Sequence, residues 1–225
     1  MFRLKDLTLV ESRDSLKAIP EGKILINTIY AHSYNTAQKD CLFADALRGC
    51  DYLIPDGASI VKACRFLKAK SQPKERIAGW DLFSFEMERL NEQGRCCGQQ
   101  FRVMFMGSSD RVLALIRERA ATDYPYLDIF TYSPPYKKLF SDEENAAILK
   151  AIAEAKPHLL WIGMTAPKQE KWAYSHWNEL GIHCHVGTIG AVFDFFAGTA
   201  QRAPIWWQQH SLEWLYRLVK EPKRM

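Results

Sequence analysis

Short apolar runs alternate with amphipathic stretches of helical length along this chain. The run over 23–29 predicts a strand, and the segment 35–47 a helix with its apolar residues on one side. Tyr52-Leu53-Ile54 predicts a second strand and 57–68 a second helix. A helix over 81–90 has Leu82, Phe85, Met87 and Leu90 available for burial. The strand over 101–106 ends at Gly107, and Ser108 and Ser109 can cap a helix that starts near Asp110. A strand over 127–132 is broken by Ser133-Pro134-Pro135, and the helix over 142–156 has the acidic first turn its dipole favours. A strand over 158–162 ends at Gly163, a helix covers 168–180, and a strand over 183–186 ends at Gly187.

Alternation of this kind predicts an α/β fold, a Rossmann-like, mostly parallel sheet with helices on both faces. The least regular stretch, 70–79, divides the chain into a small N-terminal lobe (1–75) and a Rossmann-like region (76–200), with a C-terminal helical appendage (201–225). One continuous domain is the alternative. In such sheets ligands bind at the carboxyl ends of the strands, so the residues just after each strand are the ones to weigh.

Three strand ends carry chemistry. Asp56-Gly57 follows the second strand; a carboxylate there can take a proton from a hydroxyl, although on this dipeptide alone a helix N-cap is the commoner role. Lys168, Gln169 and Glu170 open the helix after Gly163, where a helix N-terminus beside a lysine suits a phosphate or carboxylate, or is simply a capped helix. Gly187-Thr188-Ile189-Gly190 has the spacing GxxG, so the GxGxxG dinucleotide fingerprint is not met. Beyond it, Arg202 sits in a turn, and Leu212, Leu215, Tyr216 and Val219 share one face of a closing helix. That basic, aromatic end suits a membrane interface, a diphosphate or a plain solvated face. His183 and His185 have no third ligand nearby in sequence, which favours a structural role over a metal site. There is no Walker A sequence, no HExxH and no DxD pair.

Composition adds little constraint. The 225 residues are 48% hydrophobic and 25% charged, enough for a sizeable core, and the net charge of +4 permits phosphates or an anionic surface without requiring either. The six cysteines form no CxxC pair, so a reducing compartment is expected. No apolar run has the length of a signal peptide or a membrane span, so contact with a membrane is expected from the surface.

The motifs in series resemble the WecG/TagA/CpsF glycosyltransferases. The resemblance is carried by Ile54-Pro55-Asp56-Gly57, Glu75-Arg76-Ile77-Ala78-Gly79-Trp80-Asp81, Pro167-Lys168-Gln169-Glu170 and Gly187 through Asp194. It continues in Arg202-Ala203-Pro204, Leu212 through Arg217, and Glu221-Pro222-Lys223-Arg224. Each motif is weak alone; their order over nearly the whole chain is specific. The resemblance implies inverting, metal-independent transfer from a UDP-sugar, of the N-acetylmannosamine type or a relative, with no cofactor. It implies an acceptor sugar on undecaprenyl diphosphate, a place on the inner face of the bacterial cytoplasmic membrane, and products for wall teichoic acid, capsule or other surface polysaccharides. No nucleic-acid partner is implied, and a homo-oligomer is compatible.

Carried over residue by residue, Asp56 matches the family's general base, and Thr28, Gln169 and Asp194 match polar residues of the same pocket. Arg217 and Arg224 match arginines of a closing appendage. Arg76, Lys168, Gly187, Gly190 and Arg202 complete the expected donor and acceptor site. Where the family often has Thr-x-Asn, this chain has Thr28-Ile29-Tyr30, and the family leads one to expect a further short basic segment after Met225. A nicotinamide-dependent oxidoreductase and a non-catalytic nucleotide-sugar or lipid-head-group binding module are the rival readings.

Overall fold

A computed structural model of the chain describes residues 2–201, 203, 204, 206 and 207. Its strands are β1 (Ile24–Ile29), β2 (Tyr52–Pro55), β3 (Phe101–Gly107), β4 (Leu127–Tyr132), β5 (Leu159–Gly163) and β6 (His185–Thr188). They form one sheet in the order β2-β1-β6-β5-β3-β4, and every neighbouring pair is parallel. The helices are α1 (Ala31–Ala37), α2 (Cys41–Arg48), α3 (Ala58–Phe66), α4 (Gly79–Cys97), α5 (Asp110–Asp123), α6 (Asp142–Ala155), α7 (Lys168–Ser175) and α8 (Gly190–Phe196). Parallel neighbours need crossover connections, and the helices supply them.

Both faces of the sheet are covered, which explains why its strands read as nearly continuous apolar runs. Successive side chains point to opposite faces. Ile26, Ile54, Val103, Phe105, Leu159 and Trp161 pack on one side with α4, α5 and α8. Leu25, Met104, Met106, Leu160, Ile162 and Val186 pack on the other with α6 and α7. A third cluster joins the N-terminal segment to α1, α2 and α3 through Phe2, Leu4, Phe43 and Ile60.

Four elements differ from the sequence reading. The helix expected over 35–47 is two helices, because Asp40 ends one turn and caps the next, accepting from Phe43 N at 3.0 Å and pairing with Lys171 at 2.8 Å. Helix α4 runs further at both ends and stops at Gly98, whose φ of 64° is a left-handed C-cap. Helix α7 ends at Ser175, and Lys23 Nζ donates to the nearby Trp177 carbonyl at 2.6 Å, a tertiary partner that local sequence does not show. Strand β6 starts at His185 rather than His183, where pairing with Ile24 and Leu159 begins.

That register buries His185. Its Nδ1 lies 2.9 Å from Glu86 Oε1 and its Nε2 lies 2.9 Å from the Pro20 carbonyl oxygen. A carbonyl accepts only, and so does an ionised carboxylate, so the ring donates from both nitrogens and is an imidazolium. Burial works against its charge, but the Glu86 hydrogen bond and charge and the Pro20 carbonyl outweigh it and raise the His185 pKa. Burial likewise opposes the Glu86 charge, yet His185 and Arg89, which donates at 2.7 Å, bring its pKa below the usual value. The pair ties α4, β6 and the N-terminal segment together. His183 is exposed.

The pair sets a pH window. The His185 contribution is fully present below its unfolded pKa and is lost as pH rises through the raised folded value; the Glu86 contribution is lost as pH falls through its lowered one. Replacing His185 with leucine leaves Glu86 buried with only part of its compensation. Urea unfolding at pH 6 should show a loss of about 3–5 kcal/mol, and the variant should lack the parent's decline in stability above about pH 6.5.

Candidate active site

All six carboxyl ends emerge at one edge of the sheet because every pair is parallel. After β3 the chain leaves toward β4, and after β5 it leaves the opposite way, toward β6, so the topological switch lies between these two neighbours. Their ends are pressed together there. Ser108 N donates to the Gly163 carbonyl at 3.0 Å, and a Cβ on Gly107 would overlap that carbonyl. Gly107 also has a φ of 123°, which side chains rarely adopt.

Asp56 stands at the β2 end of the same edge. Its N–H donates to the Ile29 carbonyl at 2.9 Å, extending the β1–β2 ladder by one residue. Gly57, not Asp56, is the N-cap position of α3. The Asp56 carboxylate instead accepts from Arg76 Nε at 3.2 Å and from Gly79 N, the first residue of α4, at 3.4 Å. The chain from 75 to 81 is hooked into place by Ile77 N donating to the Pro55 carbonyl at 3.1 Å and by Ala78 N donating to Asp81 at 2.7 Å. Two motifs far apart in sequence thus meet, with a helix N-terminus and a guanidinium on one carboxylate. The Asp56 side chain keeps 29% exposure and Arg76 24%. Thr28 pairs with Ile54 in register. Since residues two apart share a face, Thr28, Ile54 and Asp56 all sit on the α4 side of the sheet.

The Gly187–Gly190 turn borders this group. Ile189 and Val192 lie where a Cβ on Gly79 would touch them. Gly187 makes room for the Trp161 ring, so its lack of a side chain is a packing requirement. A Cβ on Gly190 would overlap the Met164 carbonyl. Asp194, half-buried on α8, accepts from Thr199 Oγ1 at 3.3 Å and holds the turn that follows.

Gln169 joins the third motif to the second. Its Oε1 accepts from Met164 N and Gly190 N, both at 3.1 Å, stapling the loop after β5 to the loop after β6. Its Nε2 donates to Glu170 Oε1 at 2.8 Å, which fixes which way the amide faces. In the sequence Glu170 stands out only as one of the three residues that open the helix after Gly163. The structure buries it to 2% exposure, with Oε2 lacking a partner among the described residues. A sequence signal existed, since Glu170 lies three residues before the fully buried Ala173 on the same helix face. Burial pushes its pKa up to about 7 against the Gln169 hydrogen bond. Lys168 directs its ammonium to the Lys137 carbonyl at 2.6 Å and over the Phe140 ring, 3.5 Å from the centroid. Burial lowers its pKa, with Glu144 opposing.

Arg202, Arg217 and Arg224, and most of the expected appendage, lie outside the described residues. A surface depression of about 570 Å³ lined by Glu88, Asn91, Glu92, Asp123 and Tyr124 is on the amino-end side, beside the start of β4. Its three carboxylates are unsuited to a diphosphate.

The raised Glu170 pKa favours the folded state below about pH 4.5 and loses that contribution as pH climbs to about 7. Glu170→Gln can still accept from Gln169 and carries no charge. It should flatten this decline and unfold less readily than the parent at pH 8, by up to about 3 kcal/mol; urea titrations at pH 5 and pH 8 measure it.

Comparison with known proteins agrees with the motif series. Residues 2–225 match the Glycosyl transferase WecG/TagA/CpsF family. An N-acetylglucosaminyldiphosphoundecaprenol N-acetyl-beta-D-mannosaminyltransferase of Bacillus subtilis (strain 168) is 28% identical over 200 residues, 89% of this chain and 73% of the relative. The enzyme of the same name from Bacillus spizizenii is 29% identical over 188 residues, covering 84% of this chain and 68% of the relative. That from Staphylococcus aureus (strain MW2) is 27% identical over 207 residues, covering 91% and 75%. With three of its motifs gathered at the strand ends and the match running to residue 225, the chain belongs to the WecG/TagA/CpsF family of glycosyltransferases.

Proposed function

We propose that this glycosyltransferase moves an N-acetylmannosamine-type or related sugar from UDP to a sugar carried on undecaprenyl diphosphate, with inversion and without a metal. The observation that carries the reading is Asp56, a part-exposed carboxylate held by Arg76 and the α4 N-terminus at the carboxyl edge of the sheet. The relatives' named reaction, mannosaminyl transfer to a diphosphoundecaprenol-linked sugar, supports the substrate classes.

In this reading Asp56 takes the proton of the acceptor hydroxyl. The hydroxyl oxygen bonds to the anomeric carbon as the bond from that carbon to the UDP oxygen breaks, and one displacement inverts the centre. Nucleotides favour the switch point between β3 and β5. Asp56, at the end of β2, is three strand spacings from β5, roughly 14 Å. An extended nucleoside-diphosphate sugar can span that interval. Arg76 and Gly79 N keep the base aimed, and the Gln169 staple keeps the β5 and β6 loops in register under the diphosphate. Arg202, Arg217 and Arg224 are proposed to meet the leaving charge, with the C-terminal appendage closing over the site. No helix among the described residues is long and apolar enough to cross a membrane. We place the enzyme peripherally, on the inner face of the cytoplasmic membrane.

A panel of UDP-sugars with a short-chain lipid diphosphate acceptor, scored by UDP release, tests the reading. Asp56→Asn should fold normally and lose about 10²–10⁴-fold in kcat; near-parental turnover would remove Asp56 from the chemistry. Activity should persist in EDTA. Complete loss that Mg²⁺ or Mn²⁺ restores would overturn the metal-independent scheme.

A further inference from the structure

The segment joining β4 to α6 displays apolar side chains to solvent. Pro135, Tyr136, Lys137, Lys138 and Leu139 are exposed in succession. Tyr136 is 105% exposed and Leu139 79%. The flanking Pro134 is buried and Phe140 is part-buried, so the loop is anchored at its base and bare at its tip. The tip is also braced. Lys168 Nζ holds the Lys137 carbonyl at 2.6 Å and sits over Phe140, while Lys137 Nζ reaches Glu144 Oε1 at 2.5 Å. Tyrosine suits the headgroup level of a bilayer, leucine the acyl boundary, and lysines the phosphates of anionic lipids.

The position of the loop matters as much as its composition. It follows β4, so it leaves the sheet at the edge that carries Asp56. Strands β2 and β4 are the two outermost strands, five spacings or roughly 24 Å apart. A surface that meets the loop therefore faces the edge to which a lipid-linked sugar must be presented.

We propose that the loop 135–139 docks on an anionic bilayer, with Tyr136 and Leu139 entering the headgroup region and Lys138 on lipid phosphate. Docking there turns the carboxyl edge of the sheet toward the membrane. This rests on the lipid-linked acceptor reading above and adds the part of the chain that touches the lipid.

The test is co-sedimentation of the full chain with vesicles of phosphatidylcholine alone or mixed with phosphatidylglycerol. The parent should bind the anionic vesicles, more weakly as salt rises. Tyr136→Ser with Leu139→Ser should weaken binding at least tenfold, and Lys138→Ser about fivefold on anionic vesicles, with little change on neutral ones. These side chains are exposed, so thermal unfolding should not shift. UDP release with a water-soluble, short-chain acceptor should stay at the parental rate, which separates docking from catalysis. Parental binding by the double variant, or no binding by the parent, overturns the proposal and leaves the transferase reading intact. Unchanged vesicle binding with loss of self-association in gel filtration also overturns it, in favour of a contact with a second copy. Loss of vesicle binding in the variant of a chain that releases UDP from no donor would uphold docking and sink the transferase reading.

Discussion

The single direction of the six strands is the constraint on which the rest of the structure depends. A parallel neighbour cannot be reached by a tight turn, so each connection crosses over and each strand hands its next residue to the same edge. Asp56, Ser108, Met164 and Ile189 leave strands that are distant in sequence, yet all emerge on that edge. The candidate site residues gather there because topology delivers the loops to it, while the amino edge carries the Glu86–His185 pair that holds the layers together.

At the carboxyl edge, backbone groups do much of the positioning. Asp56 is oriented by a guanidinium and by the N–H that opens α4. Gln169 uses its carbonyl oxygen on two backbone N–H groups and its amide on Glu170. That arrangement makes Gln169 a brace between two loops, and gives Glu170 the role of orienting it. Lys168 is similarly engaged, bracing the loop after β4. Side chains that look like ligand contacts in a motif are here partly used to hold the contacts' scaffold still, which is what a preorganised site requires.

Sequence alone determined the α/β class, the strand positions to within a residue or two, and the series of motifs that marks the family. These are legible because burial on both faces writes unbroken apolar runs into strands, while helices write a period of 3.6. It also singled out Asp56, as a carboxylate for which a cap is the commoner role on the dipeptide alone and a general base is what the family resemblance implies. Only the tertiary structure showed that Asp56 is not the cap of α3, by placing Arg76 and Gly79 against the carboxylate and Gly57 at the cap. The same holds for the burial of Glu170, the imidazolium of His185 and the split between α1 and α2 at Asp40. Each depends on which elements the register and order of strands bring together, and a local pattern carries no record of which distant group will share its space.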